Sequence, residues 1–269
     1  MPWTSEHLNW LIDTGQVINT TCGKKAKVYR FDHDVNDQEI MRKWAKHYRN
    51  HYCDDRQIDI MKAPGQSRSD YLFTMKFPSQ TKAPGPSIRA GDFAEILVVD
   101  YLTYLQGYTV PRTRYDRKGV PNESTKGSDV LAFKTDIDNP ANDELLVYEV
   151  KAKFTAKPKP MLQEAIVHSA KDPLRIAESL NGIKQRMLDR NEFGNIGLIN
   201  RFQDSANQPY KTKFGAAAVC SNSAFDIETL AEADSAHHPY SADLELIAFY
   251  GEELMTLANA LYERAANEI

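Results

Sequence analysis

Apolar and polar positions alternate at Lys27-Val28-Tyr29-Arg30-Phe31, which predicts a half-buried strand. Beyond it Ile40, Met41, Trp44, Tyr48 and His51 recur every three or four residues, so a helix with one apolar face is expected to start near Asn36 or Asp37. Residues 77–87 contain Pro78, Pro84, Gly85 and Pro86 and read as a linker or rigid crossing. The run that follows predicts a strong helix, with Ser87 as N-cap and Gly107 as its C-terminal stop. Apolar segments at 130–133 and 145–154 flank a polar, Pro-containing spacer at 136–143, the pattern of a hairpin. A helix is expected at about 161–170, and a restart at Asp172-Pro173, with Asp as cap, runs to about 190. Strands at 215–220 and 244–250 and an amphipathic helix at 252–266 complete the series.

Helix, hairpin, helix and strand in that order imply an α/β fold, a mixed sheet flanked by helices. Residues 1–82 read as an N-terminal α/β accessory domain and residues 83–269 as the main domain with an acidic C-terminal segment. Apolar residues make up 42% and charged ones 26%, the balance of an ordinary globular chain and not of a disordered or collagen-like one. The apolar runs are far shorter than a membrane span needs. No basic-then-apolar leader opens the chain, and Cys22, Cys53 and Cys220 are odd in number and widely spaced. A reducing, cytoplasmic setting without disulfides is therefore expected.

The formal charge of −4 conceals an asymmetry. Residues 1–80 carry +2, residues 81–220 carry +3, and residues 221–269 carry −9. An acidic end is suited to solvent or a protein partner and not to phosphate.

The candidate chemistry centres on Glu149-Val150-Lys151, inside the second apolar arm of the hairpin. In a strand, Glu149, Lys151 and Lys153 share one face. The other acid-x-Lys triplet, Asp116-Arg117-Lys118, lies in a charged loop. With the turn centred near Asn139, residues whose numbers sum to about 278 should oppose each other, which sets Asp129 against Glu149. Two facing carboxylates need a positive charge between them, and oxygen ligands suit Mg²⁺ or Mn²⁺. Glu95 adds a third acid on the apolar face of the helix, where an internal ion pair with Arg or Lys is the competing reading.

Glu95, Asp129 and Glu149-x-Lys151, on a helix followed by a hairpin, resemble the PD-(D/E)xK nuclease core over roughly residues 85–220. Ser128 stands where the motif proline would be. The stretch 44–53, Arg89-Ala90-Gly91-Asp92-Phe93-Ala94-Glu95, Lys126-Gly127-Ser128-Asp129 and Tyr148-Glu149-Val150-Lys151 are also similar to the HamA family. These are effector subunits of the Hachiman anti-phage defence system. That resemblance implies a restriction-endonuclease-like fold and a metal-dependent DNase held by a superfamily 2 helicase, HamB. Asp129, Glu149 and the Val150 carbonyl would hold the metal, with Glu95 binding directly or through water. Lys151 would orient or deprotonate the attacking water and stabilise the transition state. Lys126, Lys153, Arg114 and Lys184, drawn from basic clusters around the hairpin, are the candidate DNA contacts. Two rivals are a catalytically silent adaptor binding DNA or helicase, and a stand-alone restriction or repair endonuclease.

Other signals are weaker. His47 and His51, with Cys53 nearby, suggest zinc, but no complete tetrahedral set follows, and packing or surface histidines are the favoured reading. Gly23-Lys24 lacks the upstream glycine of a P-loop, and no Gly-x-Ser-x-Gly occurs.

Overall fold

The strand expected at 27–31 forms as Lys25–Phe31 and lies inside a six-stranded sheet that also contains the hairpin. The computed structural model describes residues 3–155, 157–171 and 173–268. In chain order the elements are β1 (Leu11–Asn19), β2 (Lys25–Phe31), α1 (Gln38–Asn50), α2 (Asp55–Met61), α3 (Arg68–Tyr71), α4 (Gly85–Asp100), β3 (Val130–Lys134), β4 (Glu144–Lys153), α5 (Met161–Ser169), α6 (Pro173–Asp189), α7 (Phe193–Gln203), β5 (Lys211–Ser221), α8 (Ile227–Ala231), β6 (Leu244–Gly251) and α9 (Leu254–Asn267). The strand order is β1-β2-β6-β5-β4-β3. The two outer pairs are antiparallel and the three inner pairs parallel, so the sheet is mixed.

Strand periodicity divides the core into two layers. Tyr29, Phe31, Leu146, Tyr148 and Phe249 face α1, α4 and α9, which contribute Trp44, Phe93 and Leu261. Val28, Leu131, Val147 and Phe214 face α5, α6 and α7, which contribute Ile166, Leu180 and Phe202. The expected boundary at 82/83 therefore runs through one sheet and one core, because β2 pairs with β6 and Tyr52 bonds Tyr262 across 2.6 Å. The acidic C-terminal segment is likewise no tail. It supplies β6 and α9, while seven of its ten acids are exposed.

Local signals explain most boundaries. Asp37 caps α1 by accepting from the Ile40 amide at 3.0 Å, and Asp54 with Gln57 forms a capping box on α2. Helix α4 starts at Gly85, two residues before the expected cap, and the Ser87 hydroxyl instead donates to the Pro84 carbonyl at 2.6 Å. A wider turn over Tyr101–Leu105 precedes Gly107, whose φ of +72° ends the helical run as expected. The expected cap Asp172 lies outside the described residues. Gly215 is required by its neighbour on β4: a Cβ there would meet a Tyr148 ring carbon at 2.0 Å. All three cysteines are free, and no described helix is long and apolar enough to cross a membrane.

Candidate active-site groove

The hairpin register places the site. Val130 pairs with Tyr148 and Leu131 with Val147, so residue numbers sum to 278 as expected, and continuing the register by one sets Asp129 opposite Glu149. The Val150 amide donates to Asp129 Oδ2 at 2.9 Å, which fixes that carboxylate against β4. Lys151, two residues on and on the same face, donates from Nζ to Glu149 Oε1 at 2.6 Å. Lys171, from the segment after α5, places its Nζ 3.0 Å from Glu149 Oε2. Glu149 is 4% exposed, so these ammonium groups offset the cost of burying its charge.

Glu95 reaches the same place from α4. Arg114 Nε donates to Glu95 Oε2 at 2.5 Å, and the Tyr115 hydroxyl donates to the same oxygen at 2.5 Å. Arg114 Nη2 donates to Asp129 Oδ1 at 2.8 Å, so one guanidinium joins Glu95 to Asp129. The ion pair that competed as a reading of Glu95 is thus present. Burial pushes the Glu95 carboxyl above the usual carboxylate range, with Arg114 pulling against the rise and Asp129 adding to it.

Glu95, Asp129, Glu149 and Lys151 all line one open groove of about 870 Å³, together with Arg114, Lys126 and Lys171. The candidate DNA contacts divide. Lys126 is exposed on the groove wall, and Lys153 continues the Glu149–Lys151 face of β4. Arg114 is engaged by the acids themselves, and Lys184 donates to Gln203 on α7, away from the groove. Lys171 and the bridging role of Arg114 had no sequence signal, because both depend on contacts between distant segments. The discarded triplet is structural: Asp116 pairs with Arg190, and buried Lys118 donates to Asp92 at 2.6 Å.

The groove carries hard oxygen donors of the kind Mg²⁺ or Mn²⁺ takes. Glu149 Oε2 is buried and has the Lys171 ammonium as its ion-pair partner, with no hydrogen bond of good geometry beside it. Glu95, Asp129 and Glu149 do not converge as a set of three within 4.8 Å, and Arg114 holds two of them. The donor chemistry is of the kind a divalent ion takes, while Arg114 engages two of the three acids.

A second cluster is tighter. His47, His51 and Asp100 bring one ligand atom each within 4.8 Å of one another, close enough to hold a metal ion. A guanidinium already sits there: Arg112 Nη1 donates to Asp100 Oδ1 at 2.6 Å and to His51 Nε2 at 2.8 Å. The Thr4 amide donates to His47 Nδ1 at 3.1 Å, so the neutral ring carries its proton on Nε2 and points it at Asp100 Oδ2, 3.0 Å away. A metal-binding histidine normally donates through its other nitrogen, which the Thr4 amide forbids here. Cys53 is outside the group, and burial pushes its thiol up to about 12. These histidines join His7, just before β1, to α1, α4 and the Arg112 segment in a charge-compensated network.

No curated protein matches this chain. The HamA family model matches residues 6–265, nearly the whole sequence, including both the groove and the histidine network. The chain therefore belongs to the HamA family and has a Hachiman-associated role.

Proposed function

We propose that the chain is a metal-dependent deoxyribonuclease, the effector of a Hachiman anti-phage system controlled by a HamB-like superfamily 2 helicase. The observation that carries this reading is the convergence of Glu95, Asp129, Glu149 and Lys151, from three separate segments, on one open groove. In this reading residues 83–269 contribute the PD-(D/E)xK core and residues 1–82 an accessory part fused to its sheet.

Asp129 and Glu149 would hold Mg²⁺ or Mn²⁺, with the Val150 carbonyl as a further ligand and Glu95, still paired with Arg114, reaching the ion through water. A bound divalent cation acidifies a water and neutralises phosphate oxygens. Lys151 would orient the attacking water and place a positive charge where the transition state gains negative charge. Glu149 holds the Lys151 ammonium in position through their 2.6 Å bond. Lys126 and Lys153 receive the flanking phosphates, which makes binding strongly salt-dependent.

The test is plasmid degradation by the chain co-purified with its helicase subunit. Cleavage should require Mg²⁺ or Mn²⁺, stop with a chelator, and weaken as salt rises. Undiminished cleavage in chelator would overturn the metal assignment. No cleavage with either metal, under conditions where the helicase hydrolyses ATP, would favour the adaptor reading.

A further inference from the structure

We propose that Arg114 is a built-in occupant of the metal position, an internal cation that must release Asp129 before a divalent ion can bind. The inference rests on the metal-dependent reading above and concerns how that site is kept closed. Its basis is geometric. The guanidinium spans the two acids, with Nε on Glu95 at 2.5 Å and Nη2 on Asp129 at 2.8 Å. Nη1 donates to the Ser128 carbonyl, in the residue next to Asp129, and Nη2 also reaches Glu95 Oε1 and the Thr125 carbonyl, each at 3.4 Å. The side chains of Arg114, Glu95 and Asp129 are only 16%, 14% and 11% exposed, so water screens their attraction weakly.

A carboxylate oxygen that accepts from a guanidinium at this distance cannot also face a divalent ion without placing two cations side by side. Binding of the metal and the Arg114–Asp129 bond therefore exclude each other. Arg114 can let go of Asp129 without leaving the groove, because its Nε stays on Glu95, which the Tyr115 hydroxyl in turn holds. Released from Asp129, Nη2 would keep only its two long contacts, to Glu95 and Thr125, and could turn to a phosphate entering the groove, so a nucleic-acid phosphate favours the same open state. Metal and DNA should each strengthen binding of the other through this one side chain.

Mn²⁺ binding to the full chain, read from the electron paramagnetic resonance signal of free Mn²⁺, tests this without any cleavage. Arg114→Met should bind Mn²⁺ roughly tenfold more tightly than wild type, the factor expected when the competent state is populated about one time in ten. Addition of single-stranded DNA with a cleavage-resistant phosphorothioate backbone, corrected for the Mn²⁺ that the DNA binds alone, should tighten Mn²⁺ binding in wild type and leave Arg114→Met unchanged. If Arg114→Met does not fold, Arg114→Lys serves: one ammonium cannot bridge both acids, and its Mn²⁺ affinity should also exceed that of wild type. If wild-type binding disappears in Glu149→Gln but neither Arg114 variant binds more tightly, the gate is wrong and the metal site stands. If Mn²⁺ binding survives Glu149→Gln unchanged, or no variant binds Mn²⁺, the metal reading fails and the gate with it.

Discussion

Lys151→Ala should cut DNA about a hundred- to a thousandfold more slowly than wild type, the cost of removing one preorganised positive group from a phosphoryl-transfer site. Its melting temperature should stay close to that of wild type. The Lys151 ammonium is 23% exposed, and Glu149 retains Lys171 as a partner, so its buried carboxylate is not left unpaired and the loss of stability stays small. Glu149→Gln should be more severe in activity, because it removes a metal-binding charge while keeping the shape of a side chain only 4% exposed. Plasmid cleavage and thermal unfolding measured on the same preparations separate the two effects. Full activity in either variant would remove that residue from the chemistry. A collapse of stability in Lys151→Ala would mean that the residue holds the fold and that its activity loss is indirect.

The second large effect lies away from the groove. Asp100 is fully buried and receives His7 Nε2 at 2.9 Å, His47 Nε2 at 3.0 Å and Arg112 Nη1 at 2.6 Å. Asp100→Ala strands a guanidinium in the interior, a loss of about 3–5 kcal/mol. The melting temperature should fall by roughly 10 °C, given about 2–4 °C per kcal/mol for a domain of this size class. A fall of under about 2 °C would show that the network is not needed to join the N-terminal segment to α4. The pH dependence has a definite sign. Burial alone would raise the Asp100 pKa, but His47 and Arg112 outweigh it and hold the carboxyl well below the usual range. Its contribution is present above the unfolded carboxylate pKa, near 3.9, and is lost as pH falls through the lower folded value. Wild type should therefore lose stability in acid more steeply than Asp100→Ala.

The hairpin was legible because its turn and both apolar arms are local. Counting from Asn139 gave the register that the strands adopt, and with it the Asp129–Glu149 opposition. β1 was not legible, since an irregularity between Asp13 and Val17 breaks its alternation, and Gly15 adopts φ +66°. α7 carries Gly194 and Gly197, which weaken its helical signal. The unity of the sheet was hidden for a different reason. Parallel pairing of β2 with β6 joins segments some 220 residues apart, and no local pattern reports it. The same limit applies to the charges. Arg112 and Arg114 look like surface DNA contacts in a basic stretch, yet each reaches inward to a buried or half-buried acid. The residues of the groove were visible as types and spacings, while their ionic partners were visible only once the chain was folded.

Among the described residues the groove and the histidine network could each bind a metal, and the proposed nuclease uses the groove. Fe²⁺ bound in place of Mg²⁺ or Mn²⁺, treated with ascorbate and peroxide, releases hydroxyl radicals that cut the polypeptide beside the ion. Mass spectrometry of the fragments should locate the cuts next to Asp129 and Glu149, and excess Mn²⁺ should suppress them. Cuts beside His47, His51 and Asp100, with none at the groove, would contradict the account.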